Sequence, residues 1–408
     1  MVHSKAVVLI GSLDTKSDEI AFLRDKIKAE GHETITMDVG ILGEALTKAD
    51  ISREEVAARG GSTLRELVEN ARKGIDKAFA VKVMTEGASQ IVAKLFCEGR
   101  VAAVVAVGGA IGTAIGTAAM KRLPNGVPKV MISIVLSSRM KQYVDSKDII
   151  FVNYPTDLLG LNFLTRKVLS NASGAVSGML RMKEPERNGK KLVAITSLGV
   201  TTPAVMKAKE KLEREGFETI VYTIDTEGLD ELLEKGLISA VLDLTPCELV
   251  NIYLTNTSQH HTRMALANER GIPQVIAPGG LDFIILPFSI NDVPESYQKR
   301  HLYEHSPNVT LVRIDSDEAE RLGSVLAEKT NAAKGLAAVV VPTKGFSSID
   351  KKGQPFYNDQ VDRVLVNSIK DNLHRKVKMI EVDAHINDET FVDEAIKILK
   401  SMMRFRSD

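Results

Sequence analysis

Two stretches decide the fold: AVVLIGSL at Ala6–Leu13 and LVAITSL at Leu192–Leu198. Each is an apolar run that leads through a polar Ser/Thr loop into a segment with helical spacing. A single shift of 185 residues aligns both loops without a gap, together with the later repeats EGHET at 30–34 and EGFET at 215–219. Apolar runs of this kind are typical of parallel strands buried on both faces. Any two strand-helix-strand units share part of this pattern, but the ungapped shift favours duplication. We therefore predict an α/β protein of two tandem Rossmann-like domains with mainly parallel sheets, related by internal duplication.

Composition and charge exclude several classes of protein. The 408 residues are 44% hydrophobic and 26% charged, as in ordinary globular proteins of two or three domains. Lys plus Arg equals Asp plus Glu at 53 each, so no net field draws the chain to a polyanion. Cys97 and Cys247 lack metal-ligand spacing and are typical of a reducing compartment. We expect no nucleic-acid partner and no membrane partner.

The first residues, Met1–Lys5, lead directly into a strand without a signal segment, which predicts a cytoplasmic protein. Val101–Met120 contains no charged residue and is long enough to span a bilayer. Four glycines within it favour a strand, a turn and a helix instead.

The pattern of apolar residues predicts the elements and the domain boundary. Strands are expected near 5–10, 33–39, 101–107, 128–134 and 148–152, and near 191–197, 218–224, 238–244, 273–277, 309–314, 337–342 and 377–383. Helices are expected at 18–30, 64–73, 77–98, 158–182, 203–215, 316–329, 359–373 and 388–399. The charged, proline-broken segment 184–190 is predicted to link domains 1–183 and 191–408. No element is predicted for 283–308, a possible lid or packing arm.

The sharpest chemical motif is GGAIGT at Gly108–Thr113, directly after a predicted strand. Glycines let the backbone approach a ligand, and the following helix offers unpaired N–H groups and a positive dipole end. Phosphate is the expected ligand, and a tight turn without a ligand is the alternative. The motif resembles the Gly-Gly-Asp-Gly-Thr loop of NAD kinases and the related loop of phosphofructokinases. Ala110 and Ile111 stand where that loop has its acidic residue, so phosphoryl transfer by the same mechanism is not implied.

A second polar loop, GSLDTK at Gly11–Lys16, follows the first strand. Loops at the carboxyl ends of neighbouring parallel strands border one crevice at the switch point, so we expect it to meet the glycine motif. Lys16 is predicted to pair with a phosphate, and Asp14 either to hold magnesium or to cap the following helix. Asp38, at the end of the second strand, is placed to reach a ribose hydroxyl.

Further short motifs extend over both halves of the chain. They are Gly11–Lys16, Met37–Gly40, Val107–Thr113, Gly126–Met131, Asn153–Asp157, Val168–Ala175, Gly199–Pro203, Val241–Thr245, Gly271–Val275, Pro278–Asp282 and His385–Asp388. Together they resemble the ATP-binding family named after the tomato mosaic virus resistance protein. The resemblance implies a two-domain α/β protein that binds ATP with magnesium and self-associates, and it implies no reaction.

Carried over to this sequence, the resemblance implies a nucleotide site in the first half, and Asp14 is the candidate magnesium ligand if it does not cap the helix. Its residues are Gly11, Ser12, Thr15, Lys16, Asp38, Gly108, Gly109, Gly112, Thr113 and Ser133. A basic segment with Ser137, Ser138, Arg139 and Lys141 either neutralises a triphosphate or forms a solvated loop.

Polar residues also follow the predicted strands of the second half. They are Ser197, Thr201, Thr202, Asp243, Thr245, Gly279, Gly280 and Asp282. If the two halves face each other, these residues line a cleft for a small anionic metabolite, with Asp243 or Asp282 as the candidate catalytic base. The histidines His260, His261, His305 and His385 lack metal-ligand spacing.

Two functions therefore stay open. One is an ATP- and magnesium-binding protein that acts as a homo-oligomer, dimer or higher, or through a partner. The other is an ATP-dependent transferase or ligase acting on the metabolite.

Overall fold

The computed structural model describes residues 5–72, 77–135, 141–144, 147–154, 156–183, 188–223, 227–256 and 262–405. The chain divides into two compact units, Met1–Glu186 and Arg187–Asp408. Each contains a parallel sheet with helices, which confirms the predicted α/β fold of two tandem Rossmann-like domains. Within the described ranges, no helix combines the length and the apolar character that a membrane span requires.

The N-terminal domain has five parallel strands in the order β2-β1-β3-β4-β5. The strands are β1 (Ala6–Gly11), β2 (Thr34–Asp38), β3 (Val101–Gly108), β4 (Lys129–Ser133) and β5 (Ile150–Asn153). The helices are α1 (Ser17–Ala29), α2 (Arg53–Arg59), α3 (Leu64–Arg72), α4 (Lys77–Cys97), α5 (Ala110–Lys121), α6 (Lys141–Val144) and α7 (Phe163–Arg181).

Alternating side chains of β1 supply both cores of this domain. Val8 and Ile10 belong to a cluster with residues of α2, α4 and α5. Val7 and Leu9 belong to a second cluster with residues of α1 and α7. Because successive strand residues point to opposite faces, a run of apolar residues without alternation is what a sheet covered on both sides requires.

The C-terminal domain has a six-stranded parallel sheet and a small antiparallel one, in the orders β14-β13-β9-β8-β6-β7 and β10-β12-β11. The strands are β6 (Leu192–Ser197), β7 (Glu218–Thr223), β8 (Ile238–Asp243), β9 (Gln274–Ile276), β10 (Phe283–Leu286), β11 (Leu302–Ser306), β12 (Val309–Arg313), β13 (Ala337–Pro342) and β14 (Lys378–Val382). The helices are α8 (Thr202–Arg214), α9 (Glu227–Glu234), α10 (Glu248–Val250), α11 (Ala265–Glu269), α12 (Glu295–Gln298), α13 (Ser316–Asn331), α14 (Asp359–Asn372) and α15 (Glu389–Phe405), with a 3₁₀ turn at Gly199–Thr201 and a π-helical turn at Asn251–Thr255.

The two parallel sheets share one strand order, as a duplication predicts. When only the strands of each parallel sheet are counted in chain order, it is 2-1-3-4-5 in the first sheet and 2-1-3-4-5-6 in the second. The single shift of 185 residues between the two halves is wrong for the first strand. Asp38 and Thr223 are 185 residues apart, but their partners Gly11 and Ser197 are 186 apart. The loop between the first strand and the first helix is therefore one residue shorter in the second domain.

The segment 283–308, for which no element was predicted, is part of the antiparallel sheet. β10 pairs with β12 and β12 pairs with β11, so β12 is not a strand of the parallel sheet. Phe283 and Leu311 of this sheet form a small buried cluster with Val200, Ile349 and Phe356. The segment is thus a packed insertion between β9 and β13.

Two helix predictions also differ from the structure. The helix predicted from Leu158 begins at Phe163, because Asn162 caps it by accepting hydrogen bonds from the amides of Leu164 and Thr165 at 2.9 Å each. Helix α2 was not predicted, since its seven residues are too short for a clear periodic pattern.

Candidate functional site

The carboxyl edge of the N-terminal sheet brings together residues that are far apart in sequence. In the ladder, Gly11 pairs with Asp38, and Gly108 pairs with Ser133. Ile10 pairs with Ala106, so the loop after β1 starts beside the glycine motif after β3. This is the switch point of the sheet, where open α/β domains bind their ligands.

The loop between β1 and α1 is a compact turn. The carbonyl of Ser12 accepts the amides of Thr15 at 3.1 Å and Lys16 at 2.8 Å. Ser12 is half-buried and Thr15 is exposed, so both hydroxyls lie at or near the surface. Lys16 is only 7% exposed, and its ammonium donates to the carbonyl of Leu158. The ammonium also lies 3.9 Å from the carboxylate of Asp157, so this cation holds the segment after β5 in place.

Asp14 does not cap α1. The N-cap position is Lys16, which makes no side-chain cap bond. Asp14 instead accepts the amides of Leu42 at 2.7 Å and Gly43 at 3.1 Å on Oδ2, which ties down the loop after β2. Its Oδ1 is buried and has no hydrogen-bond partner among the described residues. One carboxylate oxygen of Asp14 therefore remains available to a ligand.

Asp38 is a second carboxylate at this edge. Its Oδ1 accepts the amides of Leu13 and Gly40 at 2.9 Å each. Burial raises the pKa of the carboxyl group, while the two amide hydrogen bonds oppose that rise. Asp38 thus joins the loops after β1 and β2.

Within the glycine motif, Gly108 and Gly109 have different roles. A Cβ on Gly108 would lie 2.6 Å from the Cα of Gly112, so this glycine allows β3 to turn tightly into α5. A Cβ on Gly109 would meet only the Cδ1 of Ile134, at an ordinary 3.6 Å. Gly109 is the N-cap of α5, with no side-chain cap bond, and no acidic residue lies in the first turn. No side chain of the N-cap or the first turn therefore satisfies the amides at the start of α5.

Thr113 and Ser133 support this turn from inside. Both are fully buried, and their hydroxyl oxygens lie 2.7 Å apart. The hydroxyl of Ser133 also accepts the amide of Val135 at 3.0 Å. The two side chains fix the start of α5 against the end of β4. Of the basic segment that was expected to follow, Ser137, Ser138 and Arg139 lie outside the described residues, as does the side chain of Lys141.

The contrast between the two glycines gives a stability prediction. We expect Gly108→Ala to lower the free energy of unfolding of the N-terminal domain by about 1–3 kcal/mol, because the backbone must shift to admit the methyl group. Gly109→Ala should change it by less than about 0.5 kcal/mol. Hydrogen exchange of the α5 amides measures both values, and equal effects would refute the distinction.

The C-terminal domain has no copy of the glycine motif. In both parallel sheets, the pairing between the first and third strands shifts by one residue. Ala102 of β3 and Ser239 of β8 are the residues left without a partner in the first strand. On this alignment Thr245 and Pro246 occupy the places of Gly108 and Gly109. Proline has no amide to offer. The hydroxyl of Thr245 is bound internally, 2.7 Å from that of Thr201.

A buried ion network stands at this end of β8 instead. Asp243 is fully buried and accepts hydrogen bonds at 2.7 Å from the hydroxyl of Thr196 and from Nη2 of Arg263. The Nε of Arg263 lies 3.4 Å from the carboxylate of Glu248. Burial raises the pKa of Glu248 and also that of the neighbouring Cys247 thiol. Arg263 thus compensates two buried carboxyl groups.

A second buried network surrounds Arg313. Its Nη1 and Nε donate to the carbonyls of Asp282 at 2.7 Å and Phe356 at 2.8 Å. Its Nη2 donates to the carboxylate of Asp362 and lies 3.8 Å from that of Asp350. The carboxylate of Asp282 accepts the hydroxyl of Ser347 at 2.7 Å. Two carboxyl groups therefore share one guanidinium, which also binds the backbone carbonyl of Asp282.

The candidate bases are thus both interior groups. Asp243 and Asp282 are fully buried, and each is bound to a neighbouring hydroxyl, so their geometry is that of framework residues. Close backbone packing also accounts for Gly279, because a Cβ there would lie 2.2 Å from the carbonyl oxygen of Leu244. The sequence did not reveal Arg263 and Arg313, because an isolated arginine carries no sign of its burial. His260 and His261 lie outside the described residues.

Comparison with known proteins places the chain in a family. The model for the N-terminal domain of the uncharacterised protein family UPF0261 matches residues 5–185, and the model for its C-terminal domain matches residues 190–403. A UPF0261 protein of Clostridium tetani is 39% identical over 98% of this chain and 99% of its own length. Another, from Mesorhizobium japonicum, is 34% identical over 95% and 96%.

The tomato protein described as ToMV resistance protein Tm-1(GCR237) is 29% identical over 97% of this chain. The match covers 55% of the tomato protein, so the chain corresponds to about half of it. Since both family models match and together cover nearly the whole sequence, the chain belongs to the uncharacterised protein family UPF0261 and is homologous to the tomato Tm-1 proteins.

Proposed function

We propose that the N-terminal domain binds an adenine nucleotide, as its magnesium complex, at the carboxyl edge of its sheet. The observation that carries this proposal is the open start of α5. The first amide with an intrahelical hydrogen bond is that of Thr113, which donates to the carbonyl of Gly109 at 2.8 Å. The amides of residues 110–112 have no acceptor in the part of the chain that the structure describes. Such amides, at the positive end of a helix, bind phosphate well.

The loop after β1 adds donors on the other side of the switch point. The hydroxyls of Ser12 and Thr15 precede α1, whose first residues also lack a side-chain cap. Hydroxyl groups donate to phosphate oxygens without adding charge. Lys16 is occupied by the carbonyl of Leu158, so the proposed contacts of this loop are neutral.

The carboxylates at this edge fit a magnesium ion that arrives with the nucleotide. Magnesium bound with phosphates takes one or two protein carboxylates and completes its shell with phosphate oxygens and water. The free Oδ1 of Asp14 meets that requirement. In the described ranges, no group of three or more His, Cys, Asp or Glu side chains has the arrangement to hold a metal alone. Asp14 is therefore the proposed ligand, and the ion would offset repulsion between the phosphates and the two nearby carboxylates.

Calorimetric titration with ATP tests this proposal. Gly109→Asp places a carboxylate at the open helix start, and we expect it to weaken binding at least 100-fold, or about 2.7 kcal/mol. Gly174→Asp is the control, because Gly174 lies on the exposed side of α7 with nothing within 4 Å of an added Cβ. Removal of magnesium with EDTA should weaken wild-type binding at least tenfold.

Equal affinity of Gly109→Asp and wild type would refute the proposed site. Nucleotide recovered after the titration is then analysed for ADP. ADP formation would favour the alternative function, an ATP-dependent transferase or ligase, over a binding protein. Light scattering of the same samples, with and without nucleotide, tests the predicted homo-oligomer.

A further inference from the structure

We infer that the C-terminal domain binds a small organic anion with an apolar body, in a pocket at the edge of the sheet opposite to its strand carboxyl ends. The pocket has a volume of about 540 Å³, within the usual range for small-molecule sites. Three segments line it: 333–337 at the start of β13, 376–380 at the start of β14, and residues 394–402 of α15. This site is separate from the proposed nucleotide site, since all its residues belong to the C-terminal domain.

The floor of the pocket is apolar. Leu336, directly before β13, is 46% exposed. The other large apolar lining side chains are Val377, Ile380, Ile398 and Met402. A ligand that covers this surface removes apolar area from water, which favours binding.

The rim of the pocket is positive. Lys334, Lys376 and Lys378 line it and are exposed, and none has an ion-pair partner among the described residues. The only acidic lining residue, Glu394, is bound to Lys397 at 2.9 Å. Three cations without an ion-pair partner among the described residues, above an apolar floor, complement a carboxylate or phosphate attached to an apolar group.

The pocket is held in shape by backbone contacts. The amide of Lys334 donates to the carbonyl of Asn268, and the amide of Gln274 to the carbonyl of Leu336, at 3.0 Å each. A Cβ on Gly335 would lie 2.3 Å from the carbonyl oxygen of Gly271, so the turn before β13 packs directly on the turn before β9. A preformed pocket loses little conformational freedom when a ligand binds.

Titration of the full chain with octanoate, 1-octanol and acetate tests the inference. Octanoate carries both required features, whereas each of the other two carries one. We expect saturable binding of octanoate, at least fivefold tighter than that of octanol, and no measurable binding of acetate. Failure of octanoate to bind, or equal affinity for octanoate and octanol, would overturn the inference.

Variants locate the binding site. The triple variant Lys334→Gln, Lys376→Gln, Lys378→Gln should bind octanoate at least fivefold more weakly, whereas Lys351→Gln with Lys352→Gln, two exposed lysines elsewhere in the domain, should bind like wild type. The chain contains no tryptophan, so Ser401→Trp on the pocket wall supplies a single reporter. The fluorescence of this tryptophan should change as octanoate is added, with the same midpoint as the titration. The fluorescence of Phe163→Trp, in the other domain, should not change. Wild-type affinity in the triple variant would refute the assignment even if octanoate binds.

Discussion

Replacing Arg263 with methionine is expected to destabilise the C-terminal domain by about 3–5 kcal/mol. Methionine fills much of the volume of the arginine side chain, but it leaves the carboxyl groups of Asp243 and Glu248 buried without their cation. Removal of one partner from a buried ion pair costs this much because the remaining charge stays desolvated. Hydrogen exchange of the central amides of β8 measures the free energy of unfolding of this domain separately.

Arg214→Met is the matched control for this change. Arg214 also forms an ion pair in the C-terminal domain, with Glu210 on α8, but its side chain is 73% exposed. Exposed pairs of this type contribute about 0.3–0.5 kcal/mol. Adding Glu248→Gln to Arg263→Met should recover part of the lost stability, since it removes one of the two stranded charges. A loss below about 1 kcal/mol in Arg263→Met would contradict the role assigned to the network.

The carboxyl groups around Arg313 are expected to make the C-terminal domain less stable as the pH rises. Burial and mutual repulsion raise the pKa of Asp282 to about 7 and that of Asp362 to about 8, and burial also raises the pKa of Asp350. A raised pKa means that the folded state holds protons that the unfolded state has released. The resulting stability is present below the unfolded pKa of 3.8 and is lost as the pH passes the folded values.

We therefore expect the free energy of unfolding of this domain to fall by about 4–7 kcal/mol between about pH 5 and pH 8, at about 1.4 kcal/mol per pH unit for each retained proton, the lower figure for one retained proton and the upper for two. Asp362→Asn should flatten this slope, because it removes one of the titrating groups and keeps the side-chain shape. Asp371→Asn, at an exposed position near the end of the same helix, should leave the slope unchanged. Denaturant unfolding followed by hydrogen exchange at each pH gives the slopes, and a wild-type slope of the opposite sign would exclude retained protons.

Much of the fold was predictable because both parallel sheets are buried on both faces. Strands such as β1 and β3 are then uninterrupted apolar runs, and the polar or glycine-rich loops that follow them mark the carboxyl edge. The antiparallel sheet was harder to predict. In β11, half-buried and exposed residues such as Tyr303 and Glu304 alternate over only a few positions. The strands β10 and β12 pair with each other although β11 lies between them in the sequence.

The candidate site was predictable in position but not in detail. The glycines after β3 revealed the turn, because only glycine tolerates the approach between Gly108 and Gly112. The sequence could not show that Lys16 binds a carbonyl group or that the hydroxyl of Thr113 points inward. The buried ion networks were less predictable still, because nothing in the sequence around an arginine such as Arg263 indicates whether its side chain is solvated or buried.

The insertion between β9 and β13 also affects how the chain folds. In the N-terminal domain, the equivalent neighbours β4 and β5 are separated only by residues 134–149, so that pair can form soon after it is synthesised. In the C-terminal domain, β9 ends at Ile276 and its partner β13 begins only at Ala337. Residues 277–336 must leave the ribosome before that ladder forms, and until then one edge of β9 has open hydrogen-bonding groups. Because contacts over long chain separations form slowly, β9 is expected to pair with β13 late, and its open edge is exposed to aggregation until then.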